Sequence, residues 1–133
     1  ISALYGCDGI ARICQFYGTY YPRPGLPVSA REPFQVETAL QQTLASEFNG
    51  GDHDEDFRAL RDTLAEKGLP VPTLYKHYAG AMQPGGVSFT AFNVDHDFGD
   101  CVDSLVLADL TKLKAKKRKR YLGEERDHGC TEI

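Results

Sequence analysis

The sequence predicts an α/β chain of the α+β kind, a mixed sheet with flanking helices, and three observations lead there. Apolar residues recur at helical spacing through the middle of the chain, two runs rich in Val, Phe, Leu and Thr follow residue 86, and the composition is that of a folded domain. At 133 residues, 41% hydrophobic and 26% charged, the chain is the size of one ordinary domain with one packed core, or a large piece of a bigger one.

Taken in order, Ile1 to Tyr5 is apolar and β-prone and reads as an interior strand of the sheet. The turn Gly6-Cys7-Asp8-Gly9 ends it, with Asp8 placed to cap a helix from about Ile10 to Tyr17. Residues 18–33 hold four prolines (Pro22, Pro24, Pro27, Pro33) and two glycines, which makes them a long loop, either a functional lid or a surface crossover. Val36, Leu40, Leu44 and Phe48 repeat every four residues and predict a helix over 34–48. Asn49-Gly50-Gly51 stops it, and Asp54 or Asp56 can cap the next helix, Phe57 to Lys67, which ends at Gly68.

A further helix is expected over Pro72 to Ala81, with proline in its first turn. Val87–Val94 and Cys101–Asp109 then read as an antiparallel hairpin across the short connection 95–100, and Leu105-Val106-Leu107-Ala108 reads as strand buried on both faces. The basic segment 112–122 is expected to be helical to about Tyr121, stopped by Gly123 and followed by a polar tail.

Charge and cysteines narrow the classes. Seven of the 15 basic residues (Lys112, Lys114, Lys116, Lys117, Arg118, Lys119, Arg120) lie within nine positions, leaving 8 basic against 19 acidic residues elsewhere. One segment is basic and the body is acidic. That run has no interleaved aromatics to stack bases, so no nucleic-acid partner is expected. No run of eighteen apolar residues is present, and the four cysteines show neither a dense disulfide pattern nor Cys-x-x-Cys metal spacing. Reduced thiols in the cytoplasm, and no bound metal, are the expectation. The start at Ile1 lacks both an initiator Met and the regions of a signal peptide, which reads as a fragment or a chain whose earlier residues are absent.

Sequence detail adds a resemblance. Ser2-Ala3-Leu4-Tyr5-Gly6-Cys7, then Leu69-Pro70-Val71-Pro72 with Leu74-Tyr75-Lys76-His77-Tyr78, then Asp95-His96-Asp97-Phe98-Gly99 with Asp103-Ser104-Leu105-Val106-Leu107, and finally Lys117-Arg118-Lys119-Arg120-Tyr121 occur in this order. The set resembles the hemolysin-like bacterial acyltransferases, relatives of the ornithine-lipid synthases within the GNAT-like N-acyltransferase superfamily. The resemblance implies the C-terminal portion of a GNAT-like fold. It also implies a fatty acyl group transferred from acyl carrier protein or acyl-CoA to an amine or lysolipid, with no permanently bound cofactor. No Arg/Gln-x-x-Gly-x-Gly/Ala loop for the donor's phosphates is found, so a missing N-terminal half or a second chain is expected to complete the site.

The resemblance places candidate roles on particular residues. Tyr5, Gly6 and Cys7 would meet the acyl donor, with Tyr5 protonating the leaving thiolate; Tyr5 reads equally as a core aromatic. Asp95 and Asp103 match acidic positions and are candidate proton acceptors, while Asp95 also suits a turn. His96, between two aspartates, reads as a proton shuttle or as an exposed tip residue. Cys7 precedes a helix as an activated nucleophile would, but has no base nearby in sequence. The basic run is expected to dock acyl carrier protein or the anionic face of the inner membrane, against the plainer reading of a solvated helix. A binding module without catalysis, contacting an anionic surface or nucleic acid through that run, is the alternative from another class.

Overall fold

The structure is a computed structural model and describes residues 1–22 and 28–122. Five α-helices and one two-stranded antiparallel sheet make up the described residues, an α+β arrangement. They are α1 (Gly6–Tyr20), α2 (Thr38–Glu47), α3 (His53–Glu66), α4 (Thr73–Ala81), β1 (Val87–Asp95), β2 (Cys101–Ala108) and α5 (Ala115–Leu122). Residues 23–27, within the expected proline-rich loop 18–33, and the tail from Gly123 onward lie outside the described residues.

The first element corrects the sequence reading. Ala3–Tyr5 is a short 3-10 helix capped by Ser2, whose hydroxyl accepts the Leu4 N–H, and it runs on into α1. Only Ile1 behaves as strand: its amino group donates to the Val102 carbonyl at 2.7 Å, and the Val102 N–H donates back at 2.8 Å. Ser and Gly flanking three helix-compatible residues let a local cap decide against β propensity. The expected mixed sheet is likewise not formed among the described residues, where β1 and β2 stand as an antiparallel pair.

The helical spacings are realised, with shifted ends. α1 starts earlier than expected because Gly6, at φ 70°, redirects the chain into it, and Asp8 sits in its first turn rather than capping it. Asp52, not Asp54 or Asp56, caps α3, its Oδ1 accepting the N–H groups of Asp54 and Glu55. Those three following acids then lie in the first turn, where the helix dipole favours them.

Ile13, Phe16 and Tyr17 of α1 form the centre of the core with Leu44, Phe48, Leu60, Leu64, Tyr75, Val87 and Phe89. Aromatic rings fill much of it: Phe16 meets Phe48 edge-on at 6.1 Å, and Tyr75 stacks on Phe89 at 4.8 Å. Outside this core, ion pairs of Arg12 and Lys67 tie three helical segments together. Arg12 bonds Asp8 at 2.9 Å and Glu47 at 2.6 Å, while Lys67 approaches Asp8 at 3.5 Å. Partial burial opposes the charge on Asp8, but Arg12 and Lys67 outweigh it and hold the carboxyl below its ordinary value.

The hairpin is irregular where the site will be. Thr90 faces Leu105 and Asn93 faces Asp103, so β1 carries one extra residue: Ala91 and Phe92 together oppose Ser104. Ala91 takes φ 53° to make this bulge, and the Ser104 hydroxyl donates to the Thr90 carbonyl. Leu105 is 42% exposed and Val106 half-buried, against the expectation of a strand covered on both faces. At the sheet's other end, Gly86 has no room for a side chain: a Cβ there would lie 2.9 Å from that of Met82 and 3.0 Å from that of Lys112. This close approach lets the 82–86 turn pack on the short 3-10 helix Leu110–Lys112.

Candidate functional site

A cleft of about 720 Å³ opens beside the bulge, between β1, β2 and the extended chain of residues 28–32. Proline chemistry builds one wall. Pro33 cannot continue a ladder, yet the residues around it pair with the bulged strand: Phe34 N–H donates to Phe92 at 3.0 Å and Val94 N–H donates to Glu32 at 2.8 Å. Asn93 completes the seam, its Oδ1 accepting the Glu32 N–H at 2.8 Å and its Nδ2 donating to the Val94 carbonyl at 3.2 Å. The bulge therefore supplies the seam on which the returning loop is held.

Asp95 and Asp103, the two carboxylates singled out from the sequence, both line this cleft, together with Arg31, Glu32 and His96. Register explains the meeting. Asn93 faces Asp103 and Asp95 faces Cys101, so Asp95 and Asp103 are diagonal neighbours on one face, about 7–8 Å apart for such positions. Their settings differ. Asp103 is exposed at mid-strand, whereas Asp95 starts the turn, its Oδ1 accepting the Asp97 N–H at 3.1 Å. The turn closes through Gly99 and Asp100, both at positive φ, and this brings Asp100 against His96 at 2.8 Å. The hydrogen bond to Asp100 is the main reason that His96 is held above its ordinary pKa.

Tyr5, Gly6 and Cys7 are placed elsewhere. The Tyr5 hydroxyl donates to the Pro70 carbonyl at 2.6 Å, pinning the chain's start to the 69–72 connection, and burial raises its pKa. Gly6 and Cys7 line a separate, apolar cavity of about 230 Å³ with Ile10, Phe34, Val94 and Val102. Val94 lines both this cavity and the main cleft, so the two adjoin at one strand end. Asp103 and Ser104 similarly border a third cavity of about 430 Å³ together with Tyr75 and Tyr78.

The basic residues divide between elements. Lys112 ends the 3-10 helix, Lys114 lies in the connection, and Lys116, Lys117, Arg118, Lys119 and Arg120 lie on α5. Lys117 is half-buried and the others are exposed. Of the cysteines, Cys14 is pushed up to about 12 by burial and is a poor nucleophile, whereas Cys7 is exposed. Among the described residues no helix is long and apolar enough to cross a membrane, and no three His, Cys, Asp or Glu side chains gather as metal ligands.

Sequence reasoning missed Asn93, Arg31 and the bulge at Ala91. Only glycine at position 91 would have signalled such a bulge, and alanine stands there instead. Comparison with protein families, with curated proteins and with solved structures yields no match to this chain.

Proposed function

We propose that the chain is the C-terminal part of a bacterial GNAT-like acyltransferase, moving a fatty acyl group from acyl carrier protein or acyl-CoA to an amine or lysolipid acceptor. The observation that carries this reading is the convergence of Asp95 and Asp103, both assigned by the hemolysin-like resemblance, on one cleft that also holds His96 and Arg31. The Ser2–Cys7 motif gives it no weight as a strand, since those residues turn and begin a helix. Support therefore rests on the downstream motifs.

In this reading the acceptor amine lies in the main cleft. Attack on a thioester needs that amine unprotonated; Asp103, the exposed and uncommitted carboxylate, takes its proton, and Asp95 holds the turn. Tyr5, engaged with Pro70, positions the chain start rather than protonating a thiolate. The apolar cavity beside Gly6 and Cys7 offers a place for acyl carbons. Donor phosphates are bound by a part of the fold outside these 133 residues, and the basic run docks the acidic carrier or an anionic membrane face, at the cytoplasmic side.

Transfer from labelled acyl-CoA and from acyl carrier protein, measured on the source polypeptide with and without Asp103→Asn, tests this. A positioned general base contributes about 10²–10⁴-fold, so a loss of that size with donor binding intact is expected. Full activity in the Asp103→Asn protein would refute the assignment of the base. No transfer with either donor, beside binding to anionic vesicles, would favour the non-catalytic module.

A further inference from the structure

Helical geometry brings Lys117 and Arg120, two residues of the basic run given a docking role above, beside Lys76, which that reading does not use. On α5, Lys117, Arg120 and Tyr121 follow the three- and four-residue spacing of one face, and on α4, Lys76 and Gly80 do the same beside His77. These six residues line one notch of about 200 Å³. Among the described residues no carboxylate lines it. Two lysines, an arginine and a histidine around so small a space make a place that attracts an anion. Arg120 lies over its neighbouring Tyr121 ring at 5.6 Å, which limits the directions its guanidinium takes.

The notch does not stand alone. Lys76 and Gly80 also line a second cavity of about 300 Å³ whose other walls include Phe16, Tyr17, Tyr21 and Phe57. Its polar contacts are few: the Tyr21 hydroxyl, bonded to His53 at 2.9 Å, and the lysines 76 and 114. Gly80 lies where the two spaces adjoin, and a Cβ built on it meets no atom within 4 Å. A charged compartment and an aromatic compartment thus share one boundary on the face of α4.

We infer that this pair of cavities binds a small phosphomonoester with an aromatic body, the phosphate held by Lys76, Lys117 and Arg120 and the ring placed among Tyr21, Phe57 and Tyr17. Arginine and lysine together suit a phosphate, the former by its planar donor fork and the latter as a point charge. Aromatic walls take a ring by edge-to-face or offset contact, and a body of that kind fills the second cavity without needing further charge. The site shares Lys117 and Arg120 with the docking run of the proposed function and stands independently of the carboxylate cleft.

The test is titration of the full chain, followed by amide NMR shifts and calorimetry, with 2-phenylethyl phosphate, inorganic phosphate and uncharged 2-phenylethanol. Expected is binding of 2-phenylethyl phosphate at least tenfold tighter than inorganic phosphate, with shifts at Gly80, Lys117 and Tyr21, and no saturable binding of the alcohol. Lys117→Glu with Arg120→Glu should weaken it at least tenfold. Gly80→Leu, which fills the shared space at a position where the fold leaves room, should abolish it while circular dichroism stays unchanged. Equal affinity for inorganic phosphate, or undiminished binding in the Gly80→Leu protein, would overturn the joint site. Binding to phosphatidic acid vesicles without binding of 2-phenylethyl phosphate would overturn it in favour of a membrane-facing patch.

Discussion

Asn93→Ala tests whether the cleft wall is held as the geometry indicates. The amide makes two hydrogen bonds, one to the Glu32 N–H and one to the Val94 carbonyl, and the main-chain bonds of Phe34 and Val94 flank them. Because Glu32 is exposed, water can replace the lost acceptor, so the cost belongs at the low end, about 1 kcal/mol. For a domain of this length that corresponds to a melting temperature lowered by about 4 °C. The local effect is the more telling. If the loss falls on the seam, residues 28–34 open about five times more often, and amide hydrogen exchange at Phe34 and Val94 accelerates by that factor. Protection at those two amides equal to the wild type, with the same thermal shift, would refute a seam that closes on Asn93.

Three further outcomes follow from named contacts. Asp52→Ala should cost about 1 kcal/mol by orphaning the first-turn N–H groups of α3, whereas Asp52→Asn, which still caps, should melt close to the wild type. Leu64→Ala, at a site 1% exposed, should cost about 3 kcal/mol and lower the melting temperature by about 10 °C; a loss under 1 kcal/mol would mean that the α1–α3 contact is loose. His96 should titrate above the ordinary histidine value of 6.5 by NMR. Its bond to Asp100 then contributes stability below that value and loses it as pH rises through the raised one, and Asp100→Asn should return the ring toward 6.5.

Much of the helical framework was determined by the sequence alone. Phe57, Leu60 and Leu64 repeat at the period of a helix, and whichever neighbours they meet, only a helix gathers them on one side. The hairpin was determined as firmly, because two β-rich runs joined by six residues rich in Asp and Gly have few other ways to satisfy their main chain. The Ile1–Tyr5 segment has strand-like residues, but one Ser hydroxyl and one Gly at positive φ settle it locally as a turn of helix, a choice worth about 1 kcal/mol that composition does not register. Tertiary structure decided the rest. The register at the turn end of the hairpin decides that Asp95 and Asp103 share a face, since Asn93 faces Asp103 and Asp95 faces Cys101. Lys76 meets Lys117 and Arg120 across 41 and 44 positions of sequence for a related reason: helix faces are legible from local spacing, but which faces oppose is set by how the core packs between them.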